Sequence, residues 1–96
     1  MSEAQENKRG LIEIEVTLQG GKDAEFEVAP EVTVGAVRRT AMNAFKVVEV
    51  AGETWVLSRS GEVLNDSESV ASLLIRIGYE HKRKLECKLI KHHQAG

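Results

Sequence analysis

Few side chains in this sequence carry reactive groups at spacings that chemistry could use. Cys87 is the one thiol among 96 residues, and it alternates with Leu85 and Leu89. That placement reads as an inward-facing structural thiol, because a nucleophilic cysteine needs exposure and a cation or helix N-terminus beside it. His92 and His93 are metal-ligand types, but adjacent side chains make a poor chelate and no third ligand stands near, so no metal site is assigned. Trp55 reads as a structural anchor. The sequence holds no glycine-rich phosphate loop, no paired general acid and base and no nucleophile with its base, so no catalytic residue is assigned and an enzyme is not expected. What remains is the end of the chain, a polar stretch of Lys91, His92, His93, Gln94 and Ala95 followed by Gly96. A carboxylate on glycine can be drawn into a narrow channel, because a backbone without Cβ permits close approach. Once activated, such a carboxylate can be captured by a thiolate. The plainer reading is that many chains end in glycine, and the elements upstream have to decide between the two.

Size and composition bound those elements. A chain of 96 residues builds one core and not two. Hydrophobic content of 42% with 29% charged residues is ordinary for a soluble domain. A single cysteine excludes an internal disulfide framework and suits a reducing compartment. No apolar run approaches the roughly 20 residues that span a bilayer. The polar start, Met1 to Gly10, lacks the apolar stretch of a secretory signal. A cytoplasmic monomer with no membrane partner is the expectation. The net charge of −2 is unevenly spread, with eight acids against three bases in residues 1–31 and six bases against two acids in residues 76–91. A basic C-terminal edge could meet nucleic acid or an acidic protein. Adjacent strands would instead pair these charges within the sheet, which is the preferred reading. With four aromatic residues and no stacking motif, nucleic-acid binding is not expected.

Residues 1–10 have little to bury and read as a disordered N-terminal tail. From Leu11, Ile12, Ile14, Val16 and Leu18 alternate with Glu13, Glu15 and Thr17, the pattern of a half-buried strand. Gln19-Gly20-Gly21-Lys22 supplies a tight turn, and Ala24, Phe26 and Val28 resume the inward face of a hairpin. Pro30 ends the second strand. Thr33 is the expected N-cap of a helix from about Val34 to Lys46, with Val34, Val37, Ala41, Ala44, Phe45 and Val48 at helical spacing. Gly35 weakens its first turn. Thr54–Ser58 reads as a third strand, Glu62–Leu64 as a short edge strand, and Val70, Leu73, Leu74 and Ile75 as a short helical segment. Residues 78–83 read as a loop, and Lys84–Ile90 as the last strand, with Leu85, Cys87 and Leu89 inward and Glu86, Lys88 and Ile90 outward. Laying the helical stripe across the hairpin and the final strand is the economical packing, with the first and last strands side by side and parallel. Phe26 and Phe45 are expected in that core, where truncation of a fully buried phenylalanine costs about 3–5 kcal/mol.

Across residues 11–91 these features resemble ubiquitin. The turn Gly20-Gly21-Lys22, the strand-ending Pro30, the cap and stripe Thr33, Val34 and Val37, then Leu64, Val70, Ile75 and the Leu85/Cys87/Leu89 strand fall in ubiquitin-like order. The implied fold class is α+β, a ubiquitin-like β-grasp with a mixed four- to five-stranded sheet packed on one main helix. Trp55-Val56-Leu57 with Gly61-Glu62-Val63-Leu64-Asn65-Asp66 is further similar to a predicted bacterial ubiquitin-like family. The resemblance implies a domain at 11–91 and a flexible tail at 92–96. It implies a protein modifier activated at Gly96 by adenylation and thioester transfer, then conjugated to a target amine through an isopeptide bond. Lys91, His92, His93, Gln94 and Ala95 would thread the activating enzyme, which uses ATP; no cofactor would be bound by the chain itself. Implied partners are activating and conjugating enzymes, a metal-dependent deubiquitinase-like protease and target proteins. The same fold serves sulfur carriers that form a C-terminal thiocarboxylate and non-covalent adaptors or enzyme subunits, and both alternatives stay open. The sequence also departs from ubiquitin. Positions resembling the ubiquitin binding patch are Gln19, Val56, Glu86 and Lys88, three of them polar or charged. The terminus carries a single glycine after Ala95, further from the strand than in ubiquitin.

Overall fold

Ile12, Ile14 and Val16 are each no more than 5% exposed while Glu13 faces solvent, so alternation alone makes β1 (Ile12–Leu18) a half-buried strand. A computed structural model describes residues 10–78 and 84–93. The expected N-terminal tail therefore falls almost wholly outside the described residues, as do Gln94, Ala95 and Gly96 and most of the loop before the last strand. After β1 come β2 (Asp23–Val28), α1 (Val34–Phe45), β3 (Glu53–Arg59), β4 (Glu62–Val63), α2 (Val70–Ile77) and β5 (Leu85–His93). The strands form one sheet in the order β2-β1-β5-β3-β4. β1 pairs antiparallel with β2 and parallel with β5, and β5 pairs antiparallel with β3. The last strand thus lies at the centre of the sheet, beside the first.

The hairpin closes through Gly20 and Gly21, both at φ near +115°, a region that side chains other than glycine's rarely adopt. The helix starts where Thr33, in extended conformation, accepts a bond on its Oγ1 from the Ala36 N–H at 3.2 Å. It stops one residue short of expectation. Lys46 turns left-handed (φ 58°), and its N–H donates to the Asn43 carbonyl, which closes the helix end. Val48, expected on the helical stripe, consequently lies beyond the helix and is 74% exposed. Ala44 is exposed too, so the buried stripe of α1 is Val34, Gly35, Val37 and Ala41. The core between helix and sheet is aliphatic, with Ile14, Leu57, Leu73, Leu85 and Leu89 its largest fully buried members. Phe26 and Phe45 pack against its margin and are only partly buried, a correction to their expected central place. α1 leaves them at the hairpin edge and at its own last turn.

The two helix starts are docked on one another. Val34 N–H donates to the Glu68 carbonyl at 2.8 Å and Gly35 N–H to the Asp66 carbonyl at 3.0 Å, while Val70 N–H returns a bond to the Val32 carbonyl at 2.7 Å. These bonds satisfy groups that a helix cannot satisfy internally. Arg38 then binds the Asp66 carboxylate through Nε (3.1 and 3.2 Å) and Nη2 (2.9 Å). A Cβ at Gly35 would stand 3.2 Å from both the Cβ and the carbonyl oxygen of Asp66. Gly35→Leu is therefore expected to lose about 2–3 kcal/mol by overpacking. In Gly35→Ala crowding opposes a helix-propensity gain of up to about 1 kcal/mol, and the net change should be small. Urea midpoints of the two variants check the ordering.

Candidate functional site

The sequence directs attention to the end of β5, and the structure builds that end more firmly than expected. Trp55 lies opposite Lys91, Thr54 opposite His92 and Glu53 opposite His93. Lys91, His92 and His93 therefore belong to the strand and not to a mobile leader, because the start of β3 offers three further rungs that the expected strand end at Ile90 left out. On the other side Gln19 clasps the same segment. Its N–H donates to the Leu89 carbonyl at 3.0 Å, and its Oε1 accepts from the Lys91 N–H at 3.0 Å. The Lys91 ammonium sits 5.5 Å from the centre of the Trp55 ring and 3.5 Å from a Glu53 carboxylate oxygen, a cation–π contact and an ion pair on one side chain. Trp55 is half-buried against the core, and its indole N–H donates to the Val48 carbonyl at 3.3 Å. The structural reading of Trp55 holds, with an exposed edge beside the strand that carries the tail.

The open face of the sheet is the second surface singled out. Register places Val56 opposite Ile90, Ser58 opposite Lys88, Lys88 beside Thr17 and Glu86 beside Glu15. Val56, Glu86 and Lys88 thus share a face but not a spot, since Glu86 lies four residues, about 13 Å, along β5 from the partner of Val56. The apolar neighbour of Val56 is Ile90, which sequence reasoning did not include. Its alternation with Glu86 and Lys88 already put it on this face; only the strand register could join it to Val56. The other half of the face is acidic, with Glu13 opposite Glu27 and Glu15 opposite Glu25. Lys84 pairs with Glu25 across the sheet. Bonding to Glu25, with the field of Glu15 and Glu13, raises the Lys84 pKa, so part of the uneven charge is paired internally as expected. A two-residue apolar spot beside Lys88 is a poor seat for a dry receptor surface, since it would bury the ammonium unpaired. Titration of labelled protein with a domain that binds the ubiquitin patch is expected to give no micromolar binding; shifts centred on Val56 and Ile90 would refute this.

Cys87 is 5% exposed on the inward face and free. Burial pushes its thiol up from 9.0 to about 11, against a smaller opposing effect of Arg59. Two pH units correspond to about 100-fold less thiolate at pH 8. Alkylation of native Cys87 by iodoacetamide is therefore expected to be at least about 100-fold slower than in urea; equal rates would contradict the burial. Among the described residues no three His, Cys, Asp or Glu side chains gather as metal ligands, and no helix is long and apolar enough to cross a membrane.

Neither a protein-family model nor a curated protein matches the sequence. Solved structures do match. The ubiquitin of Caldiarchaeum subterraneum superposes with a TM-score of 0.59 at 27% identity, covering 91% of this chain and 98% of that one. The chain has a ubiquitin-like β-grasp fold. A ubiquitin-fold protein from Arabidopsis thaliana matches with a TM-score of 0.65 at 18% identity over 91% of each chain. ATG8 of Trypanosoma brucei matches with a TM-score of 0.71 at 18% identity, covering 99% of this chain and 84% of its own. At that identity the latter two speak for the fold alone.

Proposed function

We propose that this ubiquitin-like protein is a modifier whose Gly96 carboxylate, terminal as made or after processing, is the group transferred. The likeness to an archaeal ubiquitin, at 27% identity over 98% of that chain, carries the reading. The topology supports it, since β5 is held on both sides and delivers the residues after His93 from the middle of a rigid sheet. The chemistry belongs to the partner enzymes. A carboxylate oxygen attacks the α-phosphate of ATP and expels pyrophosphate; an enzyme thiolate attacks the resulting acyl-adenylate and expels AMP. A target amine then attacks the thioester carbonyl, forming the isopeptide bond and releasing the thiol. In this scheme the domain is a recognition handle, ATP is used by the activating enzyme, and Gln94 and Ala95 lead Gly96 into it. Activating and conjugating enzymes, a metal-dependent deubiquitinase-like protease and target proteins are the proposed partners of a cytoplasmic monomer.

A second reading has one observation in its favour. Because β5 continues to His93, Gly96 stands only three residues past the strand, a short leader of the kind suited to a sulfur carrier. There a persulfide sulfur would replace AMP on the adenylate and yield a thiocarboxylate. Incubating the full chain with ATP and the adenylating enzymes of its source organism separates the readings by mass spectrometry. A reducible thioester to an enzyme supports the modifier, exchange of one terminal oxygen for sulfur supports the carrier, and no product with any of them supports an adaptor.

A further inference from the structure

Two large apolar side chains stand in solvent on one short loop. Val48 is 74% exposed and Val50 54% exposed, and both lie between α1 and β3. Chains do leave single valines exposed, but this pair is joined to the end of β5. The Val48 carbonyl holds the Trp55 indole N–H, and the Trp55 ring carries the Lys91 ammonium. Val48, Val50, Trp55 and the stem of Lys91 thus form an apolar ledge that ends in a cation already paired with Glu53. The loop is anchored on both flanks. Val47 N–H donates to the Met42 carbonyl and Glu53 N–H to the Val50 carbonyl, while Glu49 accepts from Thr54 Oγ1 at 2.6 Å. The ledge therefore costs little ordering on binding.

We infer that this ledge is gripped by the enzyme that acts on the Gly96 carboxylate, which presents an apolar surface next to its carboxylate channel. The inference rests on the modifier reading. Reach carries it: five residues separate Lys91 from Gly96, so a fully extended tail puts the carboxylate no more than about 17 Å away. A partner footprint of standard size, about 800 Å² on each side, is a disc of about 16 Å radius. An enzyme that encloses the carboxylate with such a footprint covers the base of the tail, where the ledge is the exposed apolar ground. The open sheet face does not compete for this role, since its apolar spot is flanked by Lys88 and its remainder is acidic.

The test is steady-state charging of the full chain by the adenylating enzyme that gives a thioester, comparing Val48→Asp/Val50→Asp with wild type. KM is expected to rise at least tenfold with kcat within twofold, since both side chains are lost from uniform binding. Both sites are exposed, so thermal unfolding should be unchanged. Ile75→Asp on α2, at a position 83% exposed, is the control and should leave KM alone. Equal KM for the double variant and wild type would overturn the ledge and leave the modifier reading standing. A rise as large in Ile75→Asp would overturn it as well, as would concentration-dependent dimerisation that the double variant abolishes. Failure of wild type to be charged by any adenylating enzyme would remove the modifier reading and the ledge with it.

Discussion

Deleting Gly96 is expected to abolish ATP-dependent charging while leaving the fold unchanged. Without Gly96 the terminal carboxylate moves to Ala95, about 3.4 Å back along an extended chain. A shift of about 1 Å from in-line geometry already costs roughly 100-fold in rate. The new terminal residue also carries a Cβ where the tail must pass beside the nucleotide. Gly96→Val keeps the length and restores only the bulk, so it should lose kcat/KM by a smaller factor than the deletion. The fold should be indifferent to both changes, because the last paired rung is Glu53 with His93 and the core is complete by Leu89. Amide spectra of the variants should therefore superpose on wild type apart from the last residues. If the deletion variant were charged as fast as wild type, the carboxylate would not be the reactive atom and the adaptor reading would stand. Retention of charging in Gly96→Val alone would show a wide channel, but would leave the carboxylate in place.

Much of this fold is legible in the sequence because its strands are one-sided. Ile12, Ile14 and Val16 alternate with exposed or half-exposed partners, and Leu85, Cys87 and Leu89 do the same around Glu86 and Lys88; a period of two admits only one orientation once a helix covers one face. Helix ends were less legible. Nothing in the spacing of Val34 to Val48 announces that Lys46 adopts φ 58°, so Val48 read as core when it lies on the loop. Register was not legible at all. Alternation places Val56 and Ile90 on the same face but cannot say that they oppose each other, and it cannot see Glu53, Thr54 and Trp55 drawing His93 into the strand. Both facts need the partner strand, and both bear on function: one gathers the apolar spot of the open face, and the other shortens the free tail. The ledge of Val48 and Val50 escaped for the same reason, since its link to Lys91 runs through Trp55.

Leu89→Ala is expected to be the most destabilising single truncation, costing about 3–5 kcal/mol. Leu89 is 0% exposed and lies in the central strand, paired with Leu18 of β1 on one side and Leu57 of β3 on the other. Three strands fix the backbone around it, so the site cannot collapse onto the missing atoms, and a rigid cavity forfeits contacts on every wall. Sequence reasoning placed the largest losses at Phe26 and Phe45 instead. Phenylalanine removes more atoms, but both rings lie at the margin of the core with part of their surface in water, and neighbours there can relax into the gap. Phe26→Ala and Phe45→Ala should each cost less than Leu89→Ala. A domain of this size has a total stability of about 5–15 kcal/mol, so Leu89→Ala removes a large share of it. Urea denaturation gives the comparison directly, with equal m-values required before midpoints are compared. A larger loss at either phenylalanine would move the centre of the core toward the hairpin edge, where α1 crosses β2.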